Sequence, residues 1–350
     1  MVNLNAIAPA WRLPDAHARR IANAAPDGWE VVVVSAPTVS DGDGGSPPSD
    51  EALEAIRSAE IYAGFGIPRA LFLAARELRW VHSATAGIGS ALYPEMVQSD
   101  VLLTNSAGVH AVPIAEYVIG GVLYFTRGFD LASKARAFRG GVRAREGAEP
   151  RWDREPFISE TSPIRELGEL RALVVGAGGI GSAVAERLTA LGVRCTGIRR
   201  RPELGVPRGF ERVAGPADVD SLLPEADLVI LAAPYAAGSG HLLDARRLDL
   251  LPAHAIVVNV ARGALLDEEA LVERLESGRL RGAVLDVYGV EPLPEASPLW
   301  GCERALLSPH VSAVSPRGFW ERQTALLLEN WERYRRGDKL RNLVDKEAGY

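Results

Sequence analysis

The stretch Ala172-Leu173-Val174-Val175-Gly176-Ala177-Gly178-Gly179-Ile180-Gly181 decides the fold. Leu173, Val174 and Val175 make an apolar run of strand length that passes straight into Gly176-x-Gly178-x-x-Gly181. Ser182 to Leu191 then follows with helical spacing. A strand, a glycine turn and a helix in that order form the entry of a dinucleotide-binding βαβ unit. The first glycine makes the tight turn, the second admits the backbone to the pyrophosphate, and the third lets helix and strand pack closely. A pyrophosphate there sits on the unpaired N–H groups at the helix start, where the helix dipole also favours negative charge. Gly179 and Ile180 belong to the same turn. The competing reading is a glycine-rich turn without a ligand. The flanking strand and helix, and a further apolar strand downstream, favour the nucleotide site.

Working outward, 350 residues are long for one hydrophobic core, so two domains are expected. An apolar content of 47% excludes global disorder. A net charge of −6 without a basic block argues against a nucleic-acid partner and suits a small-molecule ligand. Cys195 and Cys302 lie far apart without metal spacing. They point to a reduced, cytoplasmic chain with no metal site. The N-terminus has no basic segment followed by an apolar one, so no signal peptide is expected. The longest apolar stretch, Val109 to Phe125, is interrupted by His110, Pro113, Glu116, Gly120 and Gly121. It reads as a buried helix, and no membrane partner is expected.

Strands and helices alternate on both sides of the glycine turn. Before it, helices are expected at 15–24, 51–58 and 69–76, and strands at 31–34, 61–65, 80–83 and 101–104. After it, strands are expected at 194–198, 228–233, 255–260, 283–287 and 305–307, with helices at 267–277 and 316–336. Residues 40–50 read as a loop and 128–163 as an extended arm. This rhythm predicts two wound parallel-sheet α/β domains: a flavodoxin-like substrate domain and a Rossmann dinucleotide-binding domain, with the cleft between them. The expected boundaries are 1–107 plus 312–350 for the first and 108–311 for the second.

Several motifs follow one another in a recognisable order: Thr104-Asn-Ser-Ala-Gly108, Ile114-Ala-Glu-Tyr117, the glycine turn, Asn259-Val-Ala-Arg-Gly-Ala-Leu-Leu-Asp267, Leu285-Asp-Val-Tyr-Gly-Val-Glu-Pro-Leu-Pro294, Leu307-Ser-Pro-His-Val311 and Asn342-Leu-Val-Asp345. From about Ala84 onward the chain resembles the D-isomer-specific 2-hydroxyacid dehydrogenases. Earlier residues share only the strand–helix rhythm. The resemblance implies hydride transfer between a nicotinamide dinucleotide and a small 2-keto or 2-hydroxy acid such as glyoxylate or hydroxypyruvate, and a homodimer. It also implies three catalytic residues: Arg262, Glu291 and His310.

These residue types suit that reaction on their own terms. His310 follows a strand and can lose or gain a proton near neutral pH. Glu291, on a proline-bounded loop, can pair with the ring and fix its tautomer. Arg262 ends an apolar strand at the edge where wound sheets place ligands, and its planar fork suits a 2-keto acid better than a lysine. An isolated histidine in a loop is more often structural, and an isolated arginine or glutamate more often a surface charge; the family pattern reverses those readings. The resemblance places Asp286 against the nicotinamide ring and adds Ala233, Pro234, Val260 and Ala261, with Arg262 and His310, to the expected cofactor contacts. In Thr85-Ala-Gly-Ile-Gly89 the backbone N–H groups of Ala86, Gly87 and Ile88 are expected to hold the substrate carboxylate. A plain turn is the alternative, and Gly89 departs from the aspartate often found there. His82 and His110 lie outside the motifs and read as core or interface residues. Phe65, Ile67 and Arg69 are the candidates for substrate specificity.

NAD-binding relatives carry an acidic residue about twenty positions past the glycines, bonded to the ribose 2′-hydroxyl. Here strand two runs into Arg199-Arg200-Arg201 instead, and no carboxylate follows until Glu203. Three guanidinium groups suit a 2′-phosphate, so NADP is the expected cofactor, with NAD as the alternative. An enzyme with glutamine in place of the acid partner, of formate-dehydrogenase type, does not match, and a regulated phosphoglycerate type is disfavoured by the few residues after Asp345. The competing function is a dinucleotide-sensing binding protein on the same scaffold with weak or no turnover.

Overall fold

The fold is described from a computed structural model covering residues 1–6, 11–36, 47–133, 162–234, 240–347 and 349. The chain divides into two compact units, Met1–His110 with Val314–Tyr350, and Ala111–Ala313. The stretch expected as an arm falls largely on 134–161, and most of the expected loop falls on 40–46. Both lie outside the described residues.

In the first unit β1 (Val2–Asn3), β2 (Ile61–Gly64), β3 (Trp80–Ser83) and β4 (Leu102–Thr104) form a parallel sheet in that order. A bridge from Val2 to Val33 adds the 31–34 segment outside β1. With that segment counted second in the chain, the order becomes the 2-1-3-4-5 of a flavodoxin-like sheet. The expected strand at 31–34 shortens to this one bridge because its partner β1 is only two residues long. Successive side chains of the sheet point to opposite faces and feed two cores. Ala63 and Trp80 pack with Phe319, Leu327 and Trp331 of the C-terminal helix Pro316–Arg336, and Tyr62, Val81 and Leu103 pack on the other side. His82 is wholly buried between Thr104 and Gln323, at 2.9 Å from each, and burial pushes its pKa down to about 3. The neutral ring is a core residue. His110 belongs to the same unit and stacks on Phe319.

The second unit is built on seven parallel strands: β5 (Arg171–Val175), β6 (Arg194–Ile198), β7 (Arg212–Ala214), β8 (Leu228–Leu231), β9 (Ile256–Asn259), β10 (Gly282–Leu285) and β11 (Ala305–Leu307). Their order is β11-β10-β9-β8-β5-β6-β7. The reversal falls between β5 and β8, the switch point at which a Rossmann sheet binds its ligand. β8, β9 and β10 are buried throughout, as a sheet covered on both faces requires. Leu173, Val175, Val229 and Leu231 enter one core, and Ala172, Val174, Leu228 and Ile230 the other. The second core is closed by the helix Ala111–Thr126, the apolar stretch expected at 109–125. Beyond its end, Arg281 bonds Asp130 through two nitrogens at 2.7 and 2.8 Å and the Phe125 carbonyl at 2.9 Å, all buried. No helix among the described residues is long and apolar enough to cross a membrane.

Candidate active site

The glycine turn lies at the C-terminal end of β5, and its three glycines are under different constraints. Gly176 has φ +108°, and a Cβ there would come within 2.6 Å of the Ala232–Ala233 backbone. A Cβ on Gly181 would lie 2.0 Å from the Gly176 carbonyl oxygen, where the helix Gly179–Ala190 crosses the strand. Gly178 caps that helix with φ −97° and ψ −156°, and a Cβ there would meet nothing within 4 Å. Among the described residues nothing demands glycine at 178. Open space at a helix N-terminus with amides of Gly179, Ile180 and Gly181 in its first turn fits a pyrophosphate.

The neighbouring strand ends complete this edge. Gly176 and Ala177 both donate their N–H to the Ile198 carbonyl, at 2.9 and 3.0 Å, which ties the turn to the last residue before Arg199. Arg199 is half-buried and donates to the Gly205 carbonyl at 3.3 Å, while Arg200 and Arg201 are exposed. β8 stops at Leu231, short of the expected end: the Ala232 N–H makes the last ladder bond, to the Val175 carbonyl, and the backbone of Ala232 and Ala233 then passes over the Gly176 turn.

The turn after β9 is held by Asn259, a buried residue that the sequence reading did not single out although it opens a quoted motif. Its side chain accepts from the Ala261 N–H at 3.1 Å and donates to the Arg262 carbonyl at 3.0 Å. Val260 and Ala261 are buried, and the Arg262 side chain is exposed. Gly263 then packs so closely on Tyr288 and Gly289 that a Cβ would fall 1.8 Å from the Tyr288 carbonyl carbon. This close approach brings the Arg262 turn against the loop that carries Glu291.

On that loop Glu291 accepts the Tyr288 N–H at 3.0 Å with one oxygen and meets His310 Nδ1 at 2.8 Å with the other. A carboxylate on Nδ1 fixes the tautomer and leaves Nε2 as the nitrogen that exchanges a proton. His310 has φ +53°, a left-handed conformation that a non-glycine residue keeps only when its surroundings enforce it. The enforcement comes from Asp286. Its carbonyl accepts the His310 N–H at 2.9 Å, and its wholly buried carboxylate accepts from Ser308 Oγ (2.5 Å), Val311 N (2.7 Å) and Ser312 N (2.9 Å). The Asp286 carboxylate therefore lies under the His310 segment. Nearby, Glu268 accepts the Gly289 N–H at 2.6 Å. Burial, with Glu291 adding to it, holds the Glu268 carboxyl above its ordinary pKa.

In the first unit, the carbonyls of Thr85, Ala86 and Gly87 are taken by Ser106 N, Asn105 Nδ2 and Thr85 Oγ1. No described residue accepts the amides of Ala86 and Gly87, which are exposed, while the Ile88 side chain is buried. Of the specificity candidates, Ile67 is buried in the core, Arg69 is ion-paired with Glu95, and Phe65 stacks on Phe319.

A glycine turn shaped for a pyrophosphate, on one sheet edge with a carboxylate-braced imidazole and an exposed arginine, equips the second unit for dinucleotide-dependent oxidoreduction. The family profile described as D-isomer specific 2-hydroxyacid dehydrogenase, NAD binding domain, matches residues 133–312. A glyoxylate/hydroxypyruvate reductase A of Salmonella paratyphi B is 31% identical over 300 residues, covering 83% of this chain and 87% of the relative. Among solved structures, a D-isomer specific 2-hydroxyacid dehydrogenase family protein of Aeromonas salmonicida subsp. salmonicida superposes with TM-score 0.73 at 26% identity, over 95% of this chain and 96% of that one. A D-isomer specific 2-hydroxyacid dehydrogenase of Xanthobacter autotrophicus Py2, solved with NADPH and MES, gives TM-score 0.72 at 25% identity, over 100% and 98%. The chain belongs to the D-isomer specific 2-hydroxyacid dehydrogenase family. It is an NAD(P)-dependent oxidoreductase of small 2-keto and 2-hydroxy acids.

Proposed function

We propose that this enzyme reduces glyoxylate or hydroxypyruvate with NADPH, using His310 as the proton donor, Glu291 as its partner and Arg262 to hold the substrate carboxylate and polarise the carbonyl. The observation that carries the reading is the 2.8 Å His310–Glu291 contact on a backbone held in the left-handed region. The bound nicotinamide supplies the hydride. Gly178, Gly179, Ile180 and Gly181 would hold the pyrophosphate, and Arg199, Arg200 and Arg201 would take a ribose 2′-phosphate. Ala233, Pro234, Val260 and Ala261 would line the strand ends beside it, and Asp286, which the resemblance places against the nicotinamide ring, would act there through the loop it holds. His310 delivers its Nε2 proton to the carbonyl oxygen as that oxygen gains charge, and the Glu291 carboxylate stabilises the imidazolium before transfer. The Ala86 and Gly87 amides, with Ile88 next to them, offer the substrate carboxylate a second holding point. Neither Cys195 nor Cys302 is in a disulfide, which suits a cytoplasmic enzyme; a homodimer is the assembly we propose.

The test is a panel of 2-keto acids assayed with NADPH and NADH separately. Turnover of glyoxylate or hydroxypyruvate, with NADPH preferred about 10- to 100-fold, is expected from one or two charge-assisted bonds to the 2′-phosphate after screening by solvent. Arg199→Asp with Arg200→Ser should erode that ratio. Cofactor binding without turnover of any keto acid would make the chain a dinucleotide sensor instead.

A further inference from the structure

Behind the His310 segment runs a chain of hydroxyls that the proposed chemistry does not use. Tyr117, on the helix Ala111–Thr126, lies 2.7 Å from Ser308 Oγ, and Ser308 donates to Asp286 Oδ1 at 2.5 Å. A serine hydroxyl has one proton. With that proton committed to the carboxylate, Tyr117 must be the donor to Ser308. The chain then has one direction, from phenol to serine to carboxylate. Burial, together with the nearby Asp286 charge, raises the Tyr117 pKa above its ordinary value, so the phenol keeps its proton at neutral pH. Tyr288 adds a second brace by donating to the Ser308 carbonyl at 2.9 Å, and burial pushes its own pKa up to about 12.

Register explains why Ser308 is the residue so placed. β10 and β11 run parallel with Leu285 opposite Leu307, so Asp286 and Ser308 are the next residues beyond the paired ends. The Ser308 N–H bonds the Leu285 carbonyl at 3.0 Å. From there the Asp286 carboxylate grips the chain on both sides of His310, through Ser308 Oγ before it and the amides of Val311 and Ser312 after it. Removing Ser308 Oγ leaves the carboxylate only its grip after His310, beside the backbone bonds from the His310 N–H to the Asp286 carbonyl and from the Ser308 N–H to the Leu285 carbonyl. The left-handed backbone at 310 is then held less firmly, and the ring has more room to turn away from Glu291.

We propose that Ser308 and Tyr117 are positioning residues. They orient the Asp286 carboxylate so that it locks His310 in the left-handed conformation from which Nε2 is presented. The proposal rests on the reading of His310 as the proton donor, and its test keeps the two separable. Ser308→Ala, Ser308→Thr, Tyr117→Phe and His310→Ala are assayed for kcat and KM on the best keto acid, for NADPH Kd, and for Tm. Ser308→Ala should lower kcat about 10- to 100-fold, the equivalent of a lost bond to a charged group, with KM and NADPH Kd within about twofold at a temperature well below Tm. Ser308→Thr, which keeps the hydroxyl, should restore most of kcat, and Tyr117→Phe should cost about 2- to 10-fold, as for a neutral bond. Should Ser308→Ala fail to fold, Tyr117→Phe carries the same split. An inactive His310→Ala beside Ser308→Ala and Tyr117→Phe variants of wild-type kcat, or losses in KM and cofactor affinity rather than kcat, overturns the positioning role alone. A His310→Ala variant that keeps its activity overturns the proton-donor reading beneath it.

Discussion

Three alanine substitutions in one short turn should have opposite effects on stability and on cofactor binding. At Gly181 the new Cβ would sit 2.0 Å from the Gly176 carbonyl oxygen. The helix must move off the strand, and overpacking of this kind costs about 1–3 kcal/mol. At Gly176 a similar clash at 2.6 Å is joined by φ +108°. The strained backbone adds about 1–3 kcal/mol more. For a unit of this size each kcal/mol lowers Tm by about 2–4 °C. At Gly178 the Cβ meets nothing within 4 Å and the backbone is ordinary extended chain. Gly178→Ala should fold as well as wild type, or gain ~0.4–1 kcal/mol through a stiffer unfolded chain. Among the described residues the methyl obstructs nothing, so its effect should fall on the pyrophosphate. One lost charge-assisted bond, about 1.5–3 kcal/mol, raises the NADPH Kd about 10- to 100-fold. Thermal unfolding without cofactor, and fluorescence titration with NADPH, measure the two effects separately. A Gly178→Ala protein with wild-type affinity for NADPH, or with a Tm as low as that of Gly181→Ala, would refute the assignment of that space to the dinucleotide.

His310→Ala should lower kcat by about 10²–10⁴-fold, the usual contribution of a general acid, with NADPH binding nearly intact by titration; a kcat above about a third of wild type would remove it from proton transfer. Arg262→Lys should raise KM and lower kcat together, because a point charge cannot reproduce a bidentate contact, and unchanged kinetics would remove Arg262 from the site. His82 has a folded pKa of about 3 against an ordinary 6.5. Its contribution is complete above pH 6.5 and is lost as pH falls, because only the unfolded chain takes up the proton. Between pH 7 and 5 it should account for about 2 kcal/mol of lost stability, measured by denaturant unfolding of wild type against His82→Gln, and equal pH dependence in both would refute the buried neutral ring. Arg281→Met should cost about 3–5 kcal/mol by stranding the buried Asp130 carboxylate, and the same unfolding assay should show much of that recovered when Asp130→Leu is added.

Much of the second unit was legible because most of its strands are short and largely apolar, with turn residues between them. β6 and β11 fall where the pattern places them. The ends of β8, β9 and β10 were overestimated by one or two residues. There the apolar run continues while the backbone leaves the ladder to form the turns that hold Ala232, Val260 and Asp286. β1, two residues long, and β7, three residues with an arginine at its start, have too little pattern to be seen. Each exists only because a neighbouring strand offers a free edge.

The candidate site was legible as chemistry and not as architecture. Histidine, glutamate and arginine stand out in a sequence because each has a charge or proton to use, and the motif order indicates that they work together. Residues that act on other residues leave no such mark. In the sequence Ser308 is only a member of Leu-Ser-Pro-His, Tyr117 only the end of Ile-Ala-Glu-Tyr, and Asn259 only the start of a motif. Their roles depend on register, on which carbonyl lies opposite which hydroxyl, and that is set by the pairing of β10 with β9 and β11. Asp286 marks the boundary between the two kinds of residue. The family pattern points to it because of its charge, yet its carboxylate is wholly buried and bonded to the His310 segment through three donors. A buried carboxylate surrounded by donors is rigid, and rigidity is what a histidine at φ +53° requires. The strain at 310 is thus sustained by an aspartate, a serine and two amides, none of them part of the histidine itself.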